Sequence, residues 1–156
     1  MSKHLVGSLF LTCALVGCGN SSEAKQASAH DGIFYDLTIK GVEGENVGAF
    51  KVEIADEAGE RAQGLMYRTQ MDDDKGMLFI WDEPRRYMMW MKNTNISLDM
   101  LFIKDQTILD MALGTVPHSE EKIGGMAIVD KVLELPAGRV KALGIQVGHT
   151  IHYKAN

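Results

Sequence analysis

From residue 33 onward the apolar residues come in short runs bounded by turn residues, a pattern that suits strands and leaves little room for long helices. Ile33 to Lys40 reads as the first strand. Phe50, Val52 and Ile54 then alternate with Lys51 and Glu53, which predicts a strand with one wet face. Further strands are expected at Met77 to Trp81, Arg86 to Met91, Leu98 to Lys104, Thr107 to Leu113, Ile128 to Leu135 and His149 to Lys154. Asp105-Gln106 looks like the turn of a hairpin. Leu98 to Ile103 is apolar on both faces except at Asp99, so it is expected to be a central strand whose Asp99 either caps its start or is buried.

Only one segment reads clearly as a helix. Ala58, Ala62, Leu65 and Met66 fall at helical spacing within Glu57 to Met66, with acids in the first turn to suit the helix dipole. Gly59 and Gly64 weaken it, so packing must hold it. Gly64 would also let another element or a ligand approach closely. Gly138 to Leu143 suggests a further helical turn, capped by Gly144. Asp72, Asp73 and Asp74 read as a solvated turn, because the glycine and distal Glu of a calcium loop are missing. The chain has 156 residues, enough for one domain, and 46% hydrophobic content is enough for a core.

The N-terminus has a different character. Lys3 precedes a run from Leu5 to Val16 that is almost wholly apolar. That run is shorter than the about 20 residues needed to cross a bilayer, and it has the length of a signal-peptide core. Leu15-Val16-Gly17-Cys18 resembles the lipobox of bacterial lipoprotein signals. The resemblance implies a signal peptide over 1–17, a diacylglycerol thioether at Cys18, and acylation of the new amine by a fatty acid such as palmitate. Such an anchor would make the membrane a partner of the chain. Gly19, where an inner-membrane retention signal of the enteric type would have Asp, suggests the outer membrane, facing the periplasm. Residues 18–31 then serve as lipidated cysteine and tether; Gly19 to Asp31, rich in Ser, Ala and Gly, is expected to hold its ends roughly 20 Å apart. Residues 32–156 are left for the folded domain.

Composition excludes several chemistries. A net charge of −5 argues against broad binding to nucleic acid or acidic lipids, since both need a basic surface. Cys13 and Cys18 are the only cysteines, so nothing after residue 18 can form a disulfide, a thiolate metal site or a cysteine nucleophile. His149 and His152, three apart in a strand, face opposite ways and make a poor metal pair. No metal or cofactor site is expected from the histidines, and serine-hydrolase, Walker A, dinucleotide and HExxH patterns are missing.

Three segments resemble one family: FKVEIADEAGERAQGLMYRTQM (Phe50 to Met71), GMLFIWDEPRRYMMWMKNTNISLDMLFI (Gly76 to Ile103) and VLELPAGRVKALGIQVGHTI (Val132 to Ile151). They are similar to the DUF192 proteins of bacteria and archaea, most specifically in the WMKNT-x-I-x-L-D-M stretch. The resemblance implies a mainly β fold, a single antiparallel sandwich of jelly-roll type with one short helix, and no assigned molecular function. The chain departs from the family at Ser97, where Pro is frequent, and at the weak helix start Glu57-Ala-Gly59.

A candidate ligand surface is formed by Arg61, Arg68, Lys92, Asn93, Thr94 and Asp99, with Arg85 and Arg86 beside it. Trp90 to Thr94 ends an expected strand and enters a turn, where side chains and free amides can converge on a ligand. Arg can clamp a carboxylate or phosphate through paired hydrogen bonds. This points to a non-catalytic envelope module binding a small polar or anionic ligand, or a partner protein. The alternative for these residues is structural: Asn93 and Thr94 closing a turn, Arg61 and Asp99 forming an internal ion pair. A rival function is an envelope hydrolase with Asp99 or Glu134 as acid and base, which would need the two carboxylates to face each other. Another is Cu(I) binding by the methionines crowded between Met66 and Met111. Methionine is also routine core filler. Trp81 and Trp90 could stack a sugar ring or simply pack in the core.

Overall fold

The computed structural model describes residues 33–154. In chain order the elements are β1 (Tyr35–Lys40), β2 (Asn46–Ala55), α1 (Ala58–Gln63), β3 (Lys75–Arg85), β4 (Met88–Met89), β5 (Leu98–Lys104), β6 (Thr107–Ala112), β7 (Ile123–Gly124), β8 (Val129–Pro136), α2 (Arg139–Leu143) and β9 (Thr150–Tyr153). Seven of the strands close into a barrel in the order β1-β2-β3-β8-β5-β6-β9, and β4 pairs with β7 in a separate ribbon.

The expected sandwich is therefore corrected to a barrel, though the chain remains mainly β. Closure rests on β9, which runs antiparallel to β1 from Leu37↔Tyr153 to Lys40↔Thr150 and meets β6 at Thr107↔Thr150. A sheet whose first and last strands are hydrogen-bonded has no free edge and cannot form two stacked sheets. The expected all-antiparallel pairing is corrected too. β2 and β3 run parallel, from Lys51↔Lys75 to Ala55↔Phe79. A parallel pair needs a crossover connection, and α1 lies in it. The single helix becomes two short ones, since the turn after Gly138 winds into α2 and ends on left-handed Gly144.

The barrel wall is apolar on both sides. Inside sit Leu37, Ile39, Phe50, Val52, Leu78, Leu101, Ile103, Leu133, Leu135 and Ile151, with Val140 of α2 and Ile145 packed against them. On the outer side Ala55, Met77, Phe79, Met100, Phe102 and Val132 pack with Leu65, Met91 and Leu98. This second layer is covered by the segment after α1 and by the chain around β4 and β7. β5 has buried residues along nearly its whole length for that reason. Two-sided burial was correctly expected of Leu98 to Ile103, but it arises from lumen and cover, not from a second sheet.

Glu57 caps α1 in a reciprocal box with Glu60: each side chain reaches the other's backbone amide. Glu60 Oε2 accepts from Glu57 N at 3.2 Å. The helix ends at Gln63, three residues short of the expected Met66, on Gly64 with φ of 47°, and the ring of Phe79 fills the space a Cβ there would need, 3.0 Å away. The close approach expected at Gly64 is thus an approach by Phe79. The expected strand at Arg86 to Met91 shrinks to β4, whose Met88 and Met89 pair only with Gly124 and Ile123.

Candidate functional site

Alternation along the barrel strands puts Glu53, Met77, Glu134 and Met100 in one row on the outer side of the wall. The register is Glu53↔Met77, Met77↔Glu134 and Met100↔Glu134, across β2, β3, β8 and β5. Glu53 was expected on a wet face. It is only 4% exposed, because Arg68 and its loop lie over it while Lys51, two residues earlier, stays in solvent. Arg68 Nη1 and Nη2 donate to Glu53 Oε1 and Oε2 at 2.5 and 2.7 Å, a paired fork on a carboxylate. The guanidinium that was a candidate clamp for an anionic ligand is thereby already occupied by an internal one.

Glu134 is 3% exposed, and no ion pair or side-chain hydrogen bond reaches its carboxyl among the described residues. Burial alone pushes its pKa up to about 8. Between the two thioethers it is therefore largely a neutral acid at pH 7, with a proton to donate and an oxygen to accept.

Two loops border this part of the wall. One follows α1 through Leu65, Met66, Tyr67 and Arg68; the other runs from Met91 to Ser97. Leu65 and Met91 join the apolar cluster that holds Met77 and Met100. The loops are tied together by Tyr67 N donating to Asn93 O at 2.8 Å, Asn93 Nδ2 to Tyr67 Oη at 3.0 Å, and Asn95 Nδ2 to Arg68 O at 3.1 Å. Tyr67 and Asn93 both have left-handed backbones, with φ of 66° and 56°. Such a conformation is tolerable for Asn but strained for Tyr, and it persists only where surrounding contacts enforce it.

The remaining candidates disperse. Thr94 is buried and closes its turn, with its amide donating to Met91 O at 3.0 Å and its hydroxyl to Lys92 O at 3.4 Å. Asp99 is 1% exposed on the inner side of the wall, where it accepts from the amides of Gly114, Gly138 and Val140 at 2.9, 2.9 and 3.0 Å. It fastens the start of α2 to the barrel. Arg61 does not pair with it: its Nη1 donates to Asp56 O and to Ile80 O, and the guanidinium lies 5.8 Å from the Trp81 ring centroid. Lys92 points at Trp90, 5.1 Å from the ring centroid, and lies 3.9 Å from Glu120. Arg85 pairs with Glu83, and Arg86 is exposed.

These positions bear on the rival chemistries. Asp99 shares a face with Leu101, while Glu134 shares one with Val132, so the two carboxyls stand on opposite sides of the same wall. They cannot act across one glycosidic bond. Among the methionines, Met91 Sδ accepts the Thr115 hydroxyl at 3.2 Å and Met66 Sδ accepts from Asn93 at 3.9 Å. No three His, Cys, Asp or Glu side chains converge as a metal site among the described residues. Trp81 is stacked on Tyr87 at 4.0 Å and on Phe79 at 6.2 Å, as core aromatics are.

The model of the DUF192 family, described as Uncharacterized ACR, matches residues 39–153. The chain belongs to the DUF192 family. That match covers most of the barrel and both helices, so the expected resemblance is established over nearly the whole domain. Two solved structures are similar to this DUF192 chain. One, from Sinorhizobium meliloti 1021, is provisionally described as a transcription regulator; it is 44% identical with a TM-score of 0.74, over 78% of this chain and 94% of that one. The other, a protein of unknown function from Novosphingobium aromaticivorans DSM 12444, is 32% identical with a TM-score of 0.72, over 76% and 84%. No curated protein matches the chain.

Sequence reasoning had separated Glu134 from the candidate surface and did not single out Glu53 or Tyr67. A lone acid in an apolar strand was the available signal for Glu134. Nothing local marked Tyr67, whose role depends on a loop 26 residues away.

Proposed function

We propose that this DUF192 protein is an envelope lipoprotein, anchored through Cys18 in the outer membrane, whose barrel binds a small polar ligand on its outer wall at Glu134. The Arg68–Glu53 pair and the Tyr67–Asn93 contact frame the approach, whereas Asp99, on the other side of the wall, fastens α2 and takes no part in it.

One observation carries the reading: Glu134, 3% exposed, is set between Met77 and Met100 in an apolar row of the wall, and burial there raises its pKa. Holding such a group charged in an apolar row is unfavourable, and perturbed carboxyls of this kind concentrate at functional sites. A ligand bearing a hydroxyl, amide or carbonyl would supply the missing partner. The Arg68–Glu53 pair makes a neutral polar ligand a better fit than an anionic one, since that cation is already neutralised. The provisional description of the Sinorhizobium neighbour is not carried over, because a chain of net charge −5 is poorly suited to nucleic acid.

The test is native mass spectrometry of the full chain purified from its own envelope. A bound small molecule is expected on the wild type and on Glu134→Gln, which keeps a donor and an acceptor, and is expected to be lost from Glu134→Leu. A wild type without an adduct, or an adduct unchanged in Glu134→Leu, would overturn the reading.

A further inference from the structure

The β4–β7 ribbon is two-faced. Met89, Met91 and Ile123 turn inward to the outer apolar layer of the barrel. Met88 and Trp90, the alternate residues, face solvent at 59% and 39% exposure. Met88 lies over Gly125, where a Cβ would come within 2.9 Å of its Cγ, and the next residue, Met126, is 80% exposed. Gly124 has no room for a side chain because it sits against the Phe102 ring, so the ribbon is pressed flat on the barrel with its apolar side chains outward. Two cations flank the tryptophan: Lys122 Nζ at 4.2 Å and Lys92 Nζ at 5.1 Å from the ring centroid.

We infer that this face, Met88, Trp90, Met126, Lys92 and Lys122, docks on the surface of the lipid bilayer. The inference rests on the lipoprotein reading above and gives the anchored barrel an orientation. A tryptophan between lysines suits the headgroup boundary: the indole sits among upper acyl chains while each lysine extends its stem along the ring and its ammonium to phosphate. Met88 and Met126 add unbranched apolar side chains that enter a lipid surface without needing a shaped pocket. The acids nearby, Glu120 and Glu121, leave the patch without strong net charge, so apolar contact supplies most of the attraction. The length of chain before the barrel favours lipid as the occupant. From Cys18 to Ile33 is fifteen residues, which reach at most about 50 Å, so an anchored barrel never leaves the neighbourhood of the membrane. At the millimolar effective concentration of a short tether, even a weak patch is occupied.

The experiment is tryptophan fluorescence of the full chain in vesicles of phosphatidylethanolamine and phosphatidylglycerol, with and without brominated acyl chains. Brominated lipid is expected to quench the wild type strongly and Trp90→Phe, which retains only Trp81, weakly. Met88→Asp with Met126→Asp should cut membrane contact roughly tenfold or more, as expected for lost burial of two apolar side chains. Equal quenching of wild type and Trp90→Phe would overturn the inference. So would unquenched wild type, or a dimer in sedimentation that Trp90→Phe abolishes, which would make the patch a protein interface. Flotation of the same samples separates the two readings: protein that floats without quenching keeps its anchor and lacks the docking face, whereas protein that fails to float has lost the anchor itself.

Discussion

The carboxyl groups of Asp99 and Glu134 lie on opposite faces of the wall formed by β5 and β8, although Met100, next to Asp99, is paired in register with Glu134. Their environments are opposite too. Asp99 accepts three backbone amides, while Glu134 stands among thioethers with a raised pKa. One is a fastening and the other is the exceptional group.

Removing the fastening should be severe. Asp99→Ala removes the acceptor of the buried Val140 amide and of the part-buried Gly114 and Gly138 amides, and should lower unfolding free energy by on the order of 3 kcal/mol. Lys92→Ala, at a half-exposed position, should change it by less than about 0.5 kcal/mol. Urea denaturation of the two variants checks both figures. An Asp99→Ala protein as stable as the wild type would show that α2 is held some other way.

Glu134 should make stability fall as pH rises. Its folded pKa is about 8, against an ordinary 4.5, so between those values the folded state binds the proton and the unfolded state has released it. Unfolding free energy then declines with pH through that window and levels off above about pH 8, a total change of a few kcal/mol. Melting temperatures from pH 5 to 9 should show the decline in the wild type and a much flatter profile in Glu134→Gln.

The Arg68–Glu53 pair should be strongly coupled. Arg68→Met strands a buried carboxylate and should destabilise by roughly 3–5 kcal/mol, whereas adding Glu53→Leu should recover most of that loss. A double-mutant cycle by chemical denaturation measures the coupling. Additive effects of the two substitutions would mean that the fork contributes little beyond its separate contacts.

Cys18→Ser tests the anchor directly. Membrane fractionation should find the substituted protein either released or left as an unprocessed precursor, while the wild type stays with the membrane. A substituted chain that is processed and still membrane-bound would overturn the lipoprotein reading.

Much of this protein was legible in its sequence because local rules sufficed. Leu98 to Lys104 forms β5 at the expected boundaries, since an apolar run between turn residues has one good local conformation. Gly144 caps α2 where a left-handed residue was needed, and Asp105-Gln106 turns β5 into β6. The WMKNT stretch pointed correctly to the family, whose model covers residues 39–153.

Period-two patterning says that a strand has two faces, but it does not say what covers each. Barrel closure depends on β9 finding both β1 and β6, pairs brought together from distant parts of the chain, and a sandwich would have shown the same alternation. Glu53 looked solvated because Lys51 shares its face; only the return of Arg68 over β2 buried it. Asp99 and Glu134 looked alike as acids in apolar strands, and the register between β5 and β8 alone assigned one to three amides and the other to none. Sequence determined where strands run and which residues alternate; tertiary structure decided which buried charges found partners, because partners come from segments that the local pattern does not connect.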